Sequence, residues 1–467
     1  MRLRIIPWLP EMALIGVALF FFTRELGTFP AAWADDSLFM IVARSIADGK
    51  GYTLPILDRP WSYPYILGVG PTLLLPVALA IKLFGFSVAI ARLPMLDFLC
   101  ATAFCMYIFT NHIAGRNAAR WTSALLISLS AFVNTGKPVL GEVPGFFFLL
   151  LGLLTLQWKP RGSLWGSLAG ICFGLAVLTK ITYGLVFPAI GVAWVASALR
   201  RDWKSSFHLT IVGMFAVTIY LPWRLLELLS QPGLLRDFLF LWGGNENHTA
   251  VPFSFLLSHP TTLFRLPFLV FGLFFLLGSI GFWRLRPRLS FSLQIFLPTL
   301  AALFVLYFGS SFLWYRHLLP AHLLLLPFVT MGMQVILKRP FTEIALITIV
   351  ALQGIWQLDH RGASYNAEAM NVATTIVQDF SEKPLIIQQA EIFARLPENT
   401  QWFFLTNPLI TQRLPAPLGI LSPAQRCLPI LRKLNGKDLR EFGERAQKIE
   451  GRYFVVSPPS SCPLPPA

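Results

Sequence analysis

Charge is scarce in this sequence. Only 13% of its 467 residues are charged, against 55% that are hydrophobic, and the mean hydropathy is +0.62. Soluble domains carry about a quarter charged residues, so a soluble globular fold is excluded. The short alternating segments of a membrane β-barrel are also missing. Charges within the apolar runs are few, Asp97 with Arg92 nearby being the main case, and no internal repeat is visible. Both shortages argue against a transporter. The polar C-terminal stretch has no glycine-rich nucleotide loop and no cluster of metal ligands.

Long apolar runs are what the chain has in abundance. Crossing about 30 Å of hydrocarbon takes roughly 20 residues of helix. Hydropathy places spans near 5–25, 88–110, 119–136, 142–158, 163–180, 182–199, 206–223, 263–283, 291–309, 317–337 and 341–358. The expected fold is therefore an all-α polytopic membrane protein with about 11 transmembrane helices. Residues 5–25 follow Arg2 and Arg4 and read as a retained signal anchor, because "AWA" at 32–34 lies too far beyond Phe22 for cleavage. The stretch 64–84 is ambiguous, since Pro64, Pro71, Pro76, Gly68 and Gly70 all weaken a helix there.

Basic residues resolve that ambiguity. Suppose 64–84 is a juxtamembrane or re-entrant element that does not span. The clusters Arg116/Arg120, Lys159/Arg161, Arg200/Arg201/Lys204, Arg284/Arg286/Arg288 and Lys338/Arg339 then share the side of the N-terminus. That is the cytoplasmic side by the positive-inside rule. The net charge of +15 is then a topology signal, with no nucleic-acid partner implied. The outer face receives loop 26–87, the turn Gly136–Glu142, Lys180, loop 224–262, the turn Ser310–Arg316 and everything after about 359.

Residues 1–358 thus form a membrane domain, and 359–467 a small α/β domain outside the membrane. In the latter, "AEAMNVATTIVQDF" has helical spacing, "PLIIQQ", "QWFFLT" and "RYFVVS" read as strands, and "DLREFGERAQKI" reads as helix. A proline-rich tip ends it. Cys100, Cys105 and Cys172 lie in spans as packing residues, whereas Cys427 and Cys462 would be able to pair in an oxidising compartment. "NHT" at Asn247 is a glycosylation sequon, meaningful only in a cell with that machinery.

Asp35 and Asp36 stand side by side in "WADDSLFMIVARSIADGKGY", just after the first span. Acids favour a helix N-terminus, so capping is the plain explanation. The wider pattern resembles the first outer loop of GT-C glycosyltransferases, specifically the bacterial relatives of protein O-mannosyltransferases and aminoarabinose transferases. "DRPWSYPYILGVGPTLLLPVALAIKLFGFSVAIARLPMLDF", "GKPVLGEVPGFFFLLLGLLTL", "GICFGLAVLTKITYGLVFPAI" and "FLWYRHLLPAHLLLLP" resemble successive stretches of that family, over roughly residues 5–340.

The resemblance implies an inverting transfer of a monosaccharide from a polyprenyl-phosphate donor to a hydroxyl of a lipid, glycan or protein acceptor. Asp35 matches the first acid, the expected general base, while Asp36 would orient the acceptor or hold the base, or the two exchange roles. Neighbouring carboxylates disfavour ionising together, which suits a proton acceptor. Glu142 matches a further family acid, positioning the acceptor or pairing with a cation; an ordinary partnership with Lys137 is the plain alternative. Lys180 and Arg316 match family cations that would meet the leaving phosphate, with snorkelling to headgroups as their alternative. Arg59 is a third cation candidate.

The chain departs from the family where a lysine is usual: Ser62 and Tyr63 stand in its place, so Arg59, Lys180 and Arg316 must suffice or a divalent cation must help. No other cofactor is expected. His248 and Glu246 lie in loop 224–262, which reads as a lid. The expected setting is a bacterial inner membrane with the N-terminus cytoplasmic and the site periplasmic. A lipid flippase or transporter and a diphosphate-donor oligosaccharide ligase are the competing readings.

Overall fold

The computed structural model describes residues 8–158, 162–230, 261, 264–311, 314–359, 367–406, 421–458 and 462. Each of the eleven apolar segments falls on helix. They are α1 (Leu9–Thr23), α4 (Val88–Ala114), α5 (Arg116–Ser128) with α6 (Ser130–Gly136), α7 (Glu142–Trp158) and α8 (Ser163–Thr179). There follow α9 (Val186–Leu199), α10 (Trp203–Leu229), α11 (Leu266–Leu285), α12 (Phe291–Gly309), α13 (Tyr315–Ile336) and α14 (Arg339–Asp359). Among the described residues, seven helices are long and apolar enough to cross a membrane, and four apolar ones are shorter. The expected helical membrane fold is borne out.

The segment expected as one span over 119–136 is two helices. Leu129 is extended, and the Ser128 hydroxyl bonds back to the Leu125 carbonyl at 3.2 Å. Such local bonding competes with the helix. The stretch 64–84 becomes α3 (Pro71–Phe84), a helix of 14 residues. At 1.5 Å per residue it is about 21 Å long, short of the hydrocarbon thickness.

Helices differ in what they bury. The apolar window of α13 is 78% buried and that of α14 only 17%. So α13 runs through the middle of the bundle, while α14 turns Ile344, Ile347 and Leu352 outward. The N-terminal end of α13, with Arg316, opens on the end of the bundle that carries loop 26–87.

That loop is ordered. It holds α2 (Ala34–Ala47) and an antiparallel hairpin of β1 (Thr53–Ile56) and β2 (Arg59–Ser62), which the sequence did not announce.

The C-terminal region contains α15 (Ala367–Asp379), α16 (Ala390–Phe393) and α17 (Gly436–Phe442) with five strands. These are β3 (Leu385–Ile387), β4 (Trp402–Phe404), β5 (Ile430–Lys433), β6 (Ala446–Glu450) and β7 (Tyr453–Val456), in the order β4-β3-β5-β7-β6. Here the expected helix "DLREFGERAQKI" is corrected: its last four residues belong to β6, paired antiparallel with β7. Gly443 at φ +51 follows the short helix, a conformation that stops helices. Cys427 and Cys462 form a disulfide, with Cα atoms 5.4 Å apart. Ile386, Ala390, Ala394, Phe404 and Leu405 share one apolar core with α2, and the Leu57 N–H donates to the Phe404 carbonyl at 2.6 Å.

Candidate active site

Helix α2 starts from an extended Trp33 and carries both acids in its first turn. Neighbours on a helix point about 100° apart, at 3.6 residues per turn, so the two carboxylates cannot share one target. Asp36 turns inward and is fully buried. Its Oδ2 accepts from Arg92 Nη2 on α4 at 2.7 Å, and its Oδ1 accepts from the Val139 N–H at 2.7 Å. Arg92 also donates to the carbonyls of Leu26 and Pro30 at 3.0 and 2.9 Å. The isolated charge noted in the α4 sequence is therefore the hub that fastens loop 26–30, α2 and the turn before α7.

Asp35 faces the other way. Its Oδ2 accepts from Arg316 Nη2 at 2.7 Å. The Arg316 guanidinium lies over the rings of both Trp33 and Trp314, 4.3 and 4.5 Å from their centroids. Arg316 Nε is 3.7 Å from Glu142 Oε1, and Lys180 Nζ donates to the same oxygen at 2.5 Å. Two acids and two cations thus form one chain, Asp35–Arg316–Glu142–Lys180. Their side-chain exposures are 35%, 10%, 3% and 11%, so Asp35 is the one open to an approaching molecule. Among the described residues, Arg316 Nε and Nη1 and Glu142 Oε2 are buried without hydrogen-bond partners.

The surrounding chain holds these groups by backbone. Lys180 sits in an extended break between α8 and a 3-10 turn at Ile181–Leu185. Its backbone pairs with Val69, and the Ile181 N–H donates to the Gly68 carbonyl at 2.9 Å. Gly141 precedes Glu142, and a side chain there would place Cβ 2.8 Å from Lys180 Cβ. The Tyr183 hydroxyl donates to the Glu142 carbonyl. His317, beside Arg316, packs its ring against Tyr307 and Trp314 and lies 3.1 Å from the Ser311 hydroxyl through Nδ1.

Asp35, Glu142, Lys180 and Arg316 are therefore brought together from four separate stretches. Arg59 is not among them: it is exposed on β2 and pairs with Asp58 at 3.8 Å. Tyr63 stacks with Tyr52 in an adjacent aromatic group. His248, with Glu246 and Asn247, lies outside the described residues. The plain alternative for Glu142 is corrected: its partner is Lys180, whereas Lys137 donates to the Arg24 carbonyl at 2.8 Å. Lys137 is buried, and that burial, reinforced by the nearby Arg92 charge, pulls its pKa from 10.5 down to about 8. Among the described residues, no group of three or more His, Cys, Asp or Glu is placed to hold a metal ion.

Sequence reasoning missed Arg92, Trp33, Trp314 and His317. Trp314 and His317 flank the arginine in "WYRH", and aromatic rings around a half-buried cation were a readable signal. Arg92 stood out only as a charge in an apolar run, and nothing in the sequence tied it to a carboxylate 56 residues away.

Residues 82–286 match the family model described as dolichyl-phosphate-mannose-protein mannosyltransferase. The fold matches that of ArnT from Cupriavidus metallidurans in the apo state, with a TM-score of 0.68 at 15% identity over 98% of this chain and 99% of that one. The same protein bound to undecaprenyl phosphate matches with a TM-score of 0.65, also at 15% identity and with the same coverage. The Archaeoglobus fulgidus oligosaccharyltransferase in its apo form matches with a TM-score of 0.59 at 13% identity, over 86% of this chain and 65% of that one. No curated protein sequence matches. The resemblance to GT-C glycosyltransferases, and the enzyme class it implies, are borne out.

Proposed function

We propose that this protein is an inverting glycosyltransferase, moving one sugar from a polyprenyl-phosphate donor to an acceptor hydroxyl with Asp35 as general base. One observation carries the reading. The open carboxylate of Asp35 sits on the guanidinium of Arg316, two of whose nitrogens are buried with no hydrogen-bond partner among the described residues. A base and an anion site are thereby neighbours, which a single displacement at an anomeric carbon requires.

The acceptor oxygen attacks the anomeric carbon as its proton passes to the Asp35 carboxylate. The bond from that carbon to the phosphate oxygen breaks, and polyprenyl phosphate leaves with its electron pair. Arg316 and Lys180 meet the charge that develops on the leaving oxygen. Glu142, buried against both cations, fixes their positions. Asp36 holds α2 in place through Arg92. That the Cupriavidus protein is seen with undecaprenyl phosphate supports a lipid phosphate as the leaving group. The disulfide and the basic clusters support a site on the outer, oxidising side of a bacterial plasma membrane, with the N-terminus cytoplasmic.

The test is transfer from radiolabelled polyprenyl-phosphate sugars in membranes. Wild type should transfer and Asp35→Asn should lose about 100-fold or more at unchanged protein level. Full transfer by Asp35→Asn would remove Asp35 as the base. No transfer by wild type from any such donor would turn attention to diphosphate donors.

A further inference from the structure

A second cluster lies beside the charged chain and takes no part in it. Tyr52 and Tyr63 lie nearly parallel, with ring centroids 6.0 Å apart. Trp223, near the C-terminal end of α10, stands edge-on to them at 4.7 and 5.6 Å. The Trp223 indole N–H donates to Glu227 Oε1 at 3.0 Å, and Glu227 Oε2 accepts from the Arg224 guanidinium. Glu227 is 4% exposed and Arg224 is 7% exposed, and Arg224 Nη2 is buried with no hydrogen-bond partner among the described residues. Tyr63 and Trp223 are half-buried. Tyr63 also holds a φ of +49, which a bulky residue keeps only when its surroundings impose it.

The cluster adjoins the candidate site. The Tyr52 hydroxyl donates to the Val69 carbonyl at 2.8 Å, and Val69 is the residue paired with the Lys180 backbone. Helix packing alone gives no reason for a buried ion pair here, since such pairs cost desolvation and are often bettered by apolar residues. Nor does the pair suit an anion, because Glu227 already balances Arg224. A balanced pair offers one spare donor and a carboxylate acceptor together, beside two half-buried aromatic rings. A neutral ring that carries hydroxyls around its edge and C–H groups on its faces satisfies both.

We propose that Tyr63, Trp223, Arg224 and Glu227 form a sugar-ring subsite, with Tyr52 as the ring that backs it. This rests on the glycosyltransferase reading and names where the sugar sits. The ring belongs either to the donor or to a glycan acceptor, and the two sources separate in the test.

The experiment uses the full-length protein in detergent. Affinity is measured for undecaprenyl phosphate and for undecaprenyl phosphate-mannose, alongside transfer kinetics, in wild type, Glu227→Gln and Trp223→Phe. Trp223→Phe keeps a ring and removes the indole N–H, and it covers the case in which Glu227→Gln, with Arg224 left buried and unbalanced, fails to fold. The expected result is unchanged affinity for the bare lipid, with at least tenfold weaker binding of the sugar-bearing lipid and a matching rise in donor KM. A tenfold rise confined to acceptor KM supports the subsite and assigns it to the acceptor. Equal weakening of both lipids, or no change in any affinity or KM while wild type transfers normally, overturns the subsite alone. A wild type that transfers nothing, yet prefers the sugar-bearing lipid in a way Glu227→Gln abolishes, overturns the transferase reading and keeps the subsite.

Discussion

A turn of helix gives each residue its own direction, and in α2 that separates two chemically identical side chains into different jobs. Asp36 is enclosed with Arg92, so removing its charge leaves a buried guanidinium unbalanced. Asp36→Asn should cost about 3–5 kcal/mol, read as a lower thermal midpoint in detergent. Asp35, with a third of its surface open, should tolerate the same change with little loss of stability while transfer falls. A stable Asp36→Asn beside an unstable Asp35→Asn would reverse the assignment.

Lys137 gives a pH test at the same scale. Its folded pKa of about 8 lies below the ordinary 10.5, so between those values the unfolded chain binds more protons. Stability should therefore rise as pH goes from about 8 to 10.5 and level off above. Lys137→Met should flatten that rise in a thermal unfolding series across the window.

Elements, more than single residues, set the geometry around Glu142 and Lys180. The break between α8 and the following 3-10 turn brings the Lys180 backbone against Val69, and the turn before α7 passes so close that Gly141 has no room for a side chain. Gly141→Ala should push Lys180 away from Glu142 and lower transfer by about tenfold, a change of about 1.4 kcal/mol in the barrier, with donor KM as the readout of the displaced cation.

On its opposite side α2 is gripped by the C-terminal region, where the Arg44 guanidinium donates to the Leu396 carbonyl at 2.7 Å and Ala394 is 2% exposed in the shared core. Ala394→Glu would bury an unpaired charge in that seam. It should release the region to limited proteolysis and reduce transfer, although no residue of the charged chain has changed. Unaltered proteolysis and full activity would show that the seam does not support α2.

Across the whole molecule, the parts legible in the sequence are those that lipid dictates. Apolar runs had to be helices because a bilayer leaves backbone groups no other partner, so even the expected limits of Glu142–Trp158 and Phe291–Gly309 coincide with the helices observed. The gathering of Asp35, Glu142, Lys180 and Arg316 on one end also followed, since counting spans places alternate turns on one side. What stayed hidden depends on distant packing. The strand identity of Ala446–Glu450 rests on its neighbour β7, the hairpin over 53–62 on the sheet region it meets, and the partner of Asp36 on a helix 56 residues away. The aromatic group around Trp223 was hidden for the same reason: Tyr63 and Trp223 lie far apart in sequence and belong to a loop and a helix end.

The seam between α2 and the C-terminal region also has a bearing on how the protein is made. The bond from Arg44 to Leu396 closes across 352 residues of chain. A ribosome has delivered every membrane helix, and all four members of the charged chain, long before it delivers the segment that braces α2. During that interval the helix bearing Asp35 has only one of its two supports. The brace on the helix that bears Asp35 is therefore complete only once residues 367–406 have been made and have folded against it.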